Sequence, residues 1–403
     1  MSTVLDIVKS SATQWPDKVA IICGNETITY TQLYQEMLHG DDLPIPLLGT
    51  AWDQPFVLHT TGTTGQQKGV IVSQQAVMAN TDNLIHGQGF SHRLVFNIAG
   101  DMTHLGCWSK LFPVLRQGAT LLILPDGMKN LEAFFRALDM PLGEYGLPAD
   151  TKFATFLVPS NIRILLQLTG DRLARYAQRI DFLETGAAPM PHTDMLTLCR
   201  LLPTTRLYNT YASTETGICT TYNYNDGRCI PGCLGKPLPN SHVFITPDGH
   251  IACQGLTIMS GYEGDDDMTQ RMLHDGTIFT NDNGTIDSEG MLHILGRDDD
   301  IINVGGYKVA PTEVEDAALS HPSVKDCICI ARPHKLLGSA LCLLVVLHDG
   351  QVLDKRSIAQ HINSHLERYK VPMQYEAVPA IRRNQNGKLD RKAYRSDRSN
   401  RSN

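Results

Sequence analysis

Between residue 54 and about residue 260, short apolar runs alternate with longer stretches of helical character. The runs read PFVLHT, RLVFNIAG, ATLLILP, FATFLVP, DFLETGA and TRLYNTY. Such runs are typical of buried strands, and their alternation with helices predicts a largely parallel sheet flanked by helices. Ligands of open α/β sheets bind beyond the carboxyl ends of the strands. We therefore expect polar motifs that follow these runs to form the functional site.

The two ends of the chain have a different texture. A helix is predicted over residues 3–13, followed by the strands KVAIIC and ETITY and by a helix from Thr31. From about residue 277, TIFTN, GTIDS and MLHILG predict short strands separated by Gly and Asn turns. Pro311 then begins a helix, VKDCICIA and ALCLLVVL are predicted strands, and Ile358, Ile362 and Leu366 share one helix face.

A chain of 403 residues is too long for one ordinary core. The change in texture predicts an α/β domain over residues 1–296, with mostly parallel sheets and some small strands. A smaller α+β domain would cover residues 297–403. We see no internal repeat and no low-complexity segment.

Composition and charge exclude several classes of protein. Lys and Arg total 35 against 42 Asp and Glu, and this net charge of -7 argues against a nucleic-acid partner. The longest apolar run, ALCLLVVL, is too short for a membrane span. The start, MSTVLDIVKSS, lacks the features of a signal peptide, and the ten cysteines are scattered. We expect a soluble, cytoplasmic protein.

Two metal-site patterns fail on spacing. Cys229 and Cys233, followed by His242 and His250, are too loosely spaced for zinc and lack a second cysteine pair. The stretch TNDNGTIDSEG, aligned with Gly284 as the loop glycine of an EF-hand, has no carboxylate at its first or last ligand position.

The stretch TTGTTGQQKGV, Thr60 to Val70, has the composition of an anion-binding loop. Its glycines let backbone N–H groups turn toward an anion, the threonines add donors and Lys68 adds charge. It is not a Walker loop, because Gln67 stands where the second glycine should be. The loop alone fits a flexible surface turn equally well.

Three further segments supply complementary chemistry. NTYASTETG brings together Tyr211, Thr214 and Glu215, which can stack on a base, contact a phosphate and hold Mg²⁺. Asp282 in FTND and Arg297 in LGRDDD are an acceptor and a fork donor suited to ribose hydroxyls. RRNQNGKLDR presents Lys388 on a turn.

These motifs, in this order, resemble those of the AMP-forming adenylate-forming superfamily, which includes acyl-CoA synthetases, nonribosomal-peptide adenylation domains and luciferases. The resemblance extends from residue 58 to residue 392, and ETITYTQL also resembles the start of the family. It implies ATP, Mg²⁺ and coenzyme A, or the phosphopantetheine of a carrier protein, as cofactors, and a small carboxylic acid as substrate.

The resemblance also assigns roles by position. The phosphate loop would be Thr60, Thr61, Gly62, Thr63, Thr64, Gly65 and Lys68. The nucleotide and acyl pockets would be lined by Gly186, Ala187, Ala188, Asn209 and Tyr211, with Tyr211 stacking on adenine. Thr214 would contact the α-phosphate, Glu215 would hold Mg²⁺, and Asp282 with Arg297 would bind the ribose.

Five more positions concern the acyl group and the second domain. His104 matches the acyl-pocket histidine of the family, although a histidine beside an apolar helix is more often structural. Asp299 falls at the hinge, and Lys388 at the lysine of the first half-reaction. Gly305 and Gly306 would leave room for a pantetheine arm. In the family, rotation about the hinge exchanges the lysine for this glycine turn between the two steps.

The sequence departs from the family at three places. Gln67 replaces a proline, and Asn281 replaces a glycine. Only a short linker joins Leu33 to Thr60, so we expect a truncated first subdomain over residues 1–53. Such a truncation could open the acyl pocket, remove a dimer surface or require a partner.

Several functions remain open. The leading prediction is an acyl-CoA ligase, and the alternative acceptor is an acyl carrier protein. The amino-acid-activating branch fits less well, because VFNIAGDMTHLG lacks the F-D-A element of that branch. Asp101 is the nearest carboxylate that could keep this option open. A non-catalytic nucleotide-binding remnant is the hypothesis from another class. The sequence names neither the acid, nor the acceptor, nor the choice between monomer and homodimer.

Overall fold

The computed structural model describes residues 3–39, 54–61, 67–383 and 389–396. The α-helices of these residues are α1 (Val4–Gln14), α2 (Tyr30–His39), α3 (Gln74–Gln88), α4 (Leu105–Arg116), α5 (Leu131–Asp139), α6 (Pro159–Thr169), α7 (His192–Leu201), α8 (Asp266–Met272), α9 (Pro311–Leu319), α10 (Lys355–His365) and α11 (Arg391–Ser396). Short 3-10 helices occupy Gly127–Lys129, Leu142–Tyr145, Gly170–Tyr176, Asp298–Asp300 and Arg368–Lys370.

The first strands are β1 (Val19–Cys23), β2 (Glu26–Thr29), β3 (Phe56–Thr61), β4 (Gln67–Val72), β5 (Leu94–Ile98), β6 (Thr120–Ile123), β7 (Lys152–Phe156), β8 (Ile180–Gly186), β9 (Arg206–Ser213), β10 (Gly217–Asn223) and β11 (Cys233–Pro237). The later strands are β12 (Ser241–Ile245), β13 (His250–Gly255), β14 (Gly261–Tyr262), β15 (Leu273–His274), β16 (Thr277–Ile286), β17 (Leu292–Arg297), β18 (Ile302–Val304), β19 (Tyr307–Val309), β20 (Val324–His334), β21 (Gly338–Leu347) and β22 (Gln374–Ala377).

Local sequence explains several helix boundaries. Thr3 and Asp6 form a capping box at the start of α1, and Ser73 accepts a hydrogen bond from the N–H of Ala76 at the start of α3. Asp354 caps α10 by accepting from the N–H groups of the next turn. Pro311 begins α9, as the sequence predicts.

Fourteen strands of the described residues form one sheet, in the order β12-β13-β16-β17-β11-β10-β9-β8-β7-β5-β6-β1-β2, with β15 paired to β16. Five of the six predicted runs form the parallel strands β5 to β9, and β1 also joins this parallel part. The sixth run, PFVLHT, does not belong to it, because it forms β3 of a separate antiparallel sheet. The sheet becomes antiparallel at β10, earlier than the change in texture near residue 277, because a tight turn joins β9 to β10. TIFTN and GTIDS, predicted as two strands, belong to the single strand β16.

A smaller sheet of β14, β4 and β3 carries the candidate phosphate loop. Strands β3 and β4 form a hairpin in which Thr60 lies opposite Lys68 and Thr61 lies opposite Gln67. Gly62, Thr63, Thr64 and Gly65, which belong to the predicted loop, lie outside the described residues. The chain reaches this hairpin soon after α2, which ends at His39, so the short linker of the sequence joins α2 to β3.

The C-terminal part is built on β20, β21 and β22, with α9 and α10. Ile358 and Ile362 are fully buried, which confirms these two positions of the predicted helix face. Leu366 packs against the same cluster but is the C-cap of α10, where the backbone is already extended. Together with the large sheet domain, this smaller domain confirms the predicted α/β fold class.

The apolar cores of the two parts are separate. The clusters of the large part contain buried residues up to Leu292, and those of the small part begin at Ile302. Among the described residues, no apolar cluster extends across residues 295–301. A domain boundary at residue 297 stays a prediction, which this separation favours. No helix in the described ranges has both the length and the apolar character needed to cross a membrane.

Candidate active site

The turn between β9 and β10 carries Thr214 and Glu215, both half-buried. Ser213 and Thr216 close this turn, since each backbone N–H donates to the hydroxyl of the other residue at 3.0 Å. The carbonyl of Glu215 accepts from the N–H of Met259 at 2.8 Å. The backbone that presents these two side chains is therefore fixed on both sides.

Gly217 ends this turn with a φ of +67°. A Cβ atom at this position would lie 2.4 Å from the carbonyl oxygen of Thr257 and 2.6 Å from Oδ1 of Asn80. Both the backbone angle and the close approach of other chain segments therefore require glycine next to Glu215.

Tyr262 connects Glu215 to the strand that carries Lys68. Its hydroxyl donates to Oε1 of Glu215 at 2.9 Å, and the Lys68 ammonium lies 5.9 Å from the centre of its ring. Burial, followed by the Glu215 carboxylate, raises the pKa of Tyr262, so the phenol remains a donor. The sequence alone does not reveal this role of Tyr262, because a tyrosine after glycine in SGYEG equally fits an ordinary turn.

The structure brings the predicted ribose-binding pair together. Asp282 on β16 lies directly opposite Arg297 on β17, with Oδ1 of Asp282 3.2 Å from Nε of Arg297. The other oxygen of Asp282 accepts from the hydroxyl of Tyr211 at 2.8 Å. The Asp282 carboxylate is thus held by a hydrogen bond from Tyr211 on β9 and by an ion pair with Arg297 on β17.

Tyr211 itself is only 7% exposed. Its ring belongs to an apolar cluster with Cys219, Leu234 and Ile251, and burial raises the pKa of its hydroxyl well above the usual range. In this structure the Tyr211 hydroxyl therefore acts as a hydrogen-bond donor to Asp282. The predicted stacking of Tyr211 on an adenine stays a prediction.

Gly186 is the last residue of β8, and Ala187 and Ala188 follow it in the sequence. Gly186 lies opposite Thr210, whose carbonyl oxygen would be 2.8 Å from a Cβ atom on Gly186. Ala187 has a φ of +68°, a conformation that residues with a Cβ atom adopt at a cost and that is concentrated at functional sites. Asn209 on β9 is buried and donates to the carbonyl of Cys233 at 3.3 Å, a contact that ties β9 to β11.

His104 is the N-cap of α4. Its Nδ1 accepts a hydrogen bond from the N–H of Gly106 at 3.1 Å, which places the proton of a neutral imidazole on Nε2. The structural role weighed in the sequence analysis is therefore observed, and the acyl-pocket role stays a prediction. The Phe156 ring lies directly against Gly106, where a Cβ atom would be only 2.3 Å from the ring.

A buried ion pair lies behind this part of the site. Nζ of Lys110 on α4 is 2.9 Å from Oε2 of Glu184 on β8, and each side chain is 1% exposed. The ammonium lies 5.5 Å from the centre of the Phe156 ring. The sequence holds one signal for this pair, because Lys110 in CWSKLF and Glu184 in DFLETGA each interrupt an apolar run. That signal does not show that the two side chains meet.

The remaining predicted residues belong to the smaller domain and the hinge. Gly305 and Gly306 form the turn between β18 and β19, with positive φ angles of 58° and 97°. Asp299 lies within the 3-10 helix Asp298–Asp300. Lys388 lies outside the described residues.

The hinge region is held to the large domain by polar contacts. The Asp298 carboxylate accepts from Nε2 of His250 at 2.6 Å and from the amide of Asn283 at 2.8 Å. These contacts fix the start of the 3-10 helix that contains Asp299.

A parallel sheet with such motifs along it, followed by a small domain, is the arrangement that the resemblance to the adenylate-forming superfamily predicts. The family model described as AMP-binding enzyme matches residues 45–262, and that of the AMP-binding enzyme C-terminal domain matches residues 313–388. The chain belongs to the AMP-binding enzyme family, which confirms the resemblance found in the sequence.

Relatives and solved structures agree with this assignment. The chain is 26% identical over 368 residues to a long-chain-fatty-acid–CoA ligase of Bacillus subtilis, covering 87% of this chain and 63% of the relative. It is 28% identical to a 2-succinylbenzoate–CoA ligase of Bacillus cytotoxicus, covering 84% of this chain and 69% of the relative. The chain thus spans about two thirds of the length of these ligases.

Among solved structures, the O-succinylbenzoate coenzyme A synthetase of Bacillus subtilis in complex with AMP matches with a TM-score of 0.78 at 20% identity, covering 96% of this chain and 97% of that one. The amide bond synthetase McbA of Marinactinospora thermotolerans matches with a TM-score of 0.80 at 19% identity, covering 98% of this chain and 99% of that one. At these identities the likeness shows the fold alone.

Proposed function

We propose that this protein uses ATP to activate a carboxylic acid as an acyl-adenylate and then transfers the acyl group to the thiol of coenzyme A. The observation that carries this proposal is the contact of Tyr211, Asp282 and Arg297 on strands of the large sheet. These strands have a fixed register, and Glu215 lies in the turn that follows the strand of Tyr211. Together the four side chains supply acceptors and donors for a nucleotide. The CoA ligases among the relatives support the same chemistry.

The residues present fit Mg²⁺, which the reaction requires. Mg²⁺ is usually held by one or two carboxylates together with water and substrate phosphates, so it needs no dedicated cage of protein ligands. Glu215 offers a half-buried carboxylate of which one oxygen accepts from Tyr262. Among the described residues, no group of three or more His, Cys, Asp or Glu side chains could hold a metal by itself. When bound, Mg²⁺ would neutralise charge on the phosphate oxygens.

The residues of the chain would act on the nucleotide and the acid in separate ways. Asp282, held by Tyr211 and Arg297, would accept hydrogen bonds from the ribose hydroxyls. Lys68 and the loop that precedes it would hold the outer phosphates, and Thr214 would donate to the α-phosphate. The substrate carboxylate would attack the α-phosphorus with loss of pyrophosphate, and the ammonium of Lys388 would stabilise the charge that develops.

The second half-reaction would use the small domain. A thiol would attack the acyl-adenylate carbonyl and release AMP. Gly305 and Gly306 would let a pantetheine arm approach, because neither carries a side chain, and the space beside Gly306 is open within 4 Å. Coenzyme A is the proposed acceptor, and a separate acyl carrier protein is the alternative.

The test is pyrophosphate release across a panel of fatty, aryl and amino acids, measured with and without coenzyme A. We expect at least one acid to support release, Lys388→Ala to lose most of it, and coenzyme A to convert the product to a thioester. Asp282→Ala should raise the KM for ATP. If no acid gives release above the Lys388→Ala background, the proposed activity is wrong. Thioester formation that requires a carrier protein would instead favour the alternative acceptor.

A further inference from the structure

Arg163 joins the two domains through a buried polar contact. It lies on α6 of the large domain, and its guanidinium is 2.8 Å from Asp194 on α7 and 3.1 Å from Asp326 on β20 of the small domain. The side chains of Arg163, Asp194 and Asp326 are 11%, 16% and 17% exposed. No part of the proposed chemistry uses these three residues.

Arg383 extends this network within the small domain. Its Nη2 is 2.8 Å from one oxygen of Asp326 and 3.1 Å from the other. The backbone of Arg383 pairs with that of Leu389, and these two residues bound the segment that contains Lys388. We call Arg163, Asp194, Asp326 and Arg383 the interdomain clasp.

Two further hydrogen bonds cross the same interface. The N–H of His192, the first residue of α7, donates to Oδ1 of Asp316 on α9 at 2.8 Å, where the carboxylate also meets the positive end of the helix dipole. The side-chain amide of Gln167 donates to the carbonyl of Lys325 at 3.2 Å. The described interface is therefore polar and directional, whereas the apolar cores of the two domains stay separate.

Charge and geometry make the clasp selective for one orientation. Two arginines and two aspartates balance, so the network is neutral when closed. A rotation of the small domain would break the ion pair between Arg163 and Asp326, which crosses between the domains. Arg163 would keep Asp194 as a partner, and Asp326 would keep Arg383, so the clasp can open without leaving an unpaired charge on either domain. Hydrogen-bonded ion pairs also tolerate small displacements poorly compared with apolar contacts.

The contacts of the small domain indicate which step this orientation serves. Arg383, five residues before Lys388 in the sequence, is anchored toward the large domain through Asp326 and Arg163. The glycine turn instead contacts its own domain, since the N–H of Gly305 donates to the carbonyl of Leu337 at 3.2 Å. Tyr307 beside it is 58% exposed and stacks on Tyr369, with ring centres 4.5 Å apart.

We propose that the interdomain clasp holds the small domain in the orientation for adenylation and opens before thioester formation, with Arg163 and Asp326 as positioning residues. This inference rests on the proposed function. It assigns to Arg163 a role in the balance between the half-reactions and none in binding the nucleotide.

The first experiment separates the half-reactions. Arg163→Gln and Asp326→Asn should lower ATP-pyrophosphate exchange by about tenfold. Thioester formation from a supplied acyl-adenylate should stay at the wild-type rate or rise. The matched control is Arg200→Gln on α7, which removes an exposed pair with Asp171 within the large domain and should change neither rate. An equal loss in both half-reactions, as from general misfolding, would overturn the proposal.

A cross-link tests the orientation itself. Gln167→Cys and Lys325→Cys, in a background with Cys23→Ser and Cys199→Ser, place two thiols across the interface for a short bis-maleimide. The linked enzyme should still exchange pyrophosphate but should make no thioester, and single-cysteine variants should keep both steps. A linked enzyme that forms thioester at the unlinked rate contradicts the proposal.

The yield of this cross-link also separates the inference from the proposed function. Adding Arg163→Gln should lower the yield, a result that does not depend on any activity. An unchanged yield would overturn the clasp even in an active enzyme. If the unlinked parent activates no acid, the proposed function fails, while the yield still reports whether the clasp sets the orientation.

Discussion

Gly217 is a residue at which a single methyl group should disable the site. Gly217→Ala would place a Cβ atom 2.4 Å from a backbone oxygen at a φ of +67°. We expect it to lower the free energy of unfolding by ~2–4 kcal/mol and to weaken ATP binding, because the turn that carries Glu215 must shift. Equilibrium unfolding and nucleotide titration measure the two effects.

The matched control for Gly217 is Gly290. Its φ is +79°, but no atom lies within 4 Å of a Cβ built on it. Gly290→Ala should therefore show only the cost of the backbone conformation, about 1 kcal/mol, and no change in ATP affinity. Equal effects of the two substitutions would mean that close packing at Gly217 has no role.

The buried pair of Lys110 and Glu184 gives a second prediction at this scale. Lys110→Met leaves a buried carboxylate without its partner and should lower the free energy of unfolding by ~3–5 kcal/mol. The double variant Lys110→Met, Glu184→Leu replaces both charges with apolar groups and should recover most of that loss. Denaturation followed by tryptophan fluorescence compares the variants. A double variant as unstable as the single one would contradict this account.

At the residue scale, sequence motifs predict which residues belong to the candidate site. Packing between strands determines which of those residues contact each other. Asp282 and Arg297 were predicted from residue chemistry and family pattern, and the register of β16 and β17 places them opposite each other. Tyr262 could not be predicted, since its contact with Glu215 depends on the pairing of β14 with β4. The buried position of the Tyr211 ring likewise depends on neighbouring strands and not on its motif.

At the scale of elements, the strand β13 is joined to the hinge helix through His250. Its Nδ1 is 2.8 Å from the Asp248 carboxylate, and its Nε2 is 2.6 Å from the Asp298 carboxylate. Both ring nitrogens therefore face acceptors, and an imidazole that donates to both is a cation. The hydrogen bond to Asp298, aided by Asp248, raises the pKa of His250 above its usual range. Hydrogen bonds from Asn283 and His250 lower the pKa of Asp298.

This contact predicts a pH dependence of stability. Because the folded-state pKa of His250 is raised, its stabilisation is fully present below about pH 6.5, the pKa of an unfolded histidine, and is lost as pH rises through the folded value. We expect the difference in unfolding free energy between wild type and His250→Gln to shrink as pH rises above neutrality. Unfolding at several pH values measures it.

The control for that measurement is His242→Gln. Its Nδ1 lies 3.4 Å from the amide oxygen of Gln254, and no carboxylate takes part in that contact. This variant should keep the pH dependence of the wild type. A difference between wild type and His250→Gln that is constant with pH would show that the His250 contact does not depend on protonation.

Element types were predictable where local signals were strong. Pro311 and the spacing of Ile358 and Ile362 predict helices that the structure contains. The point at which the large sheet becomes antiparallel was not predictable from texture, because only the turn between β9 and β10 sets their relative direction.

For the whole molecule, the sequence predicted two domains and their relative size but not their contact. The interface depends on side chains far apart in the chain, such as Arg163 and Asp326, which belong to no motif. Charged residues on a helix face are usually solvated, so nothing in the sequence distinguished Arg163 from its neighbours.

Separate cores and a polar interface predict that the domains unfold in two steps. The apolar clusters divide between Leu292 and Ile302, so each domain retains its own hydrophobic stabilisation when the interface is lost. Calorimetry should show two transitions. ATP at about 100 times its Kd should stabilise mainly the large domain, because Tyr211, Glu215 and Asp282 all belong to it. The expected increase in the free energy of unfolding of that domain is ~2.7 kcal/mol.

The interface can be tested in the same experiment. Arg163→Gln should separate the two transitions further, whereas Arg200→Gln should not. A single transition that ATP shifts as a whole would show that the polar interface couples the two cores into one cooperative unit.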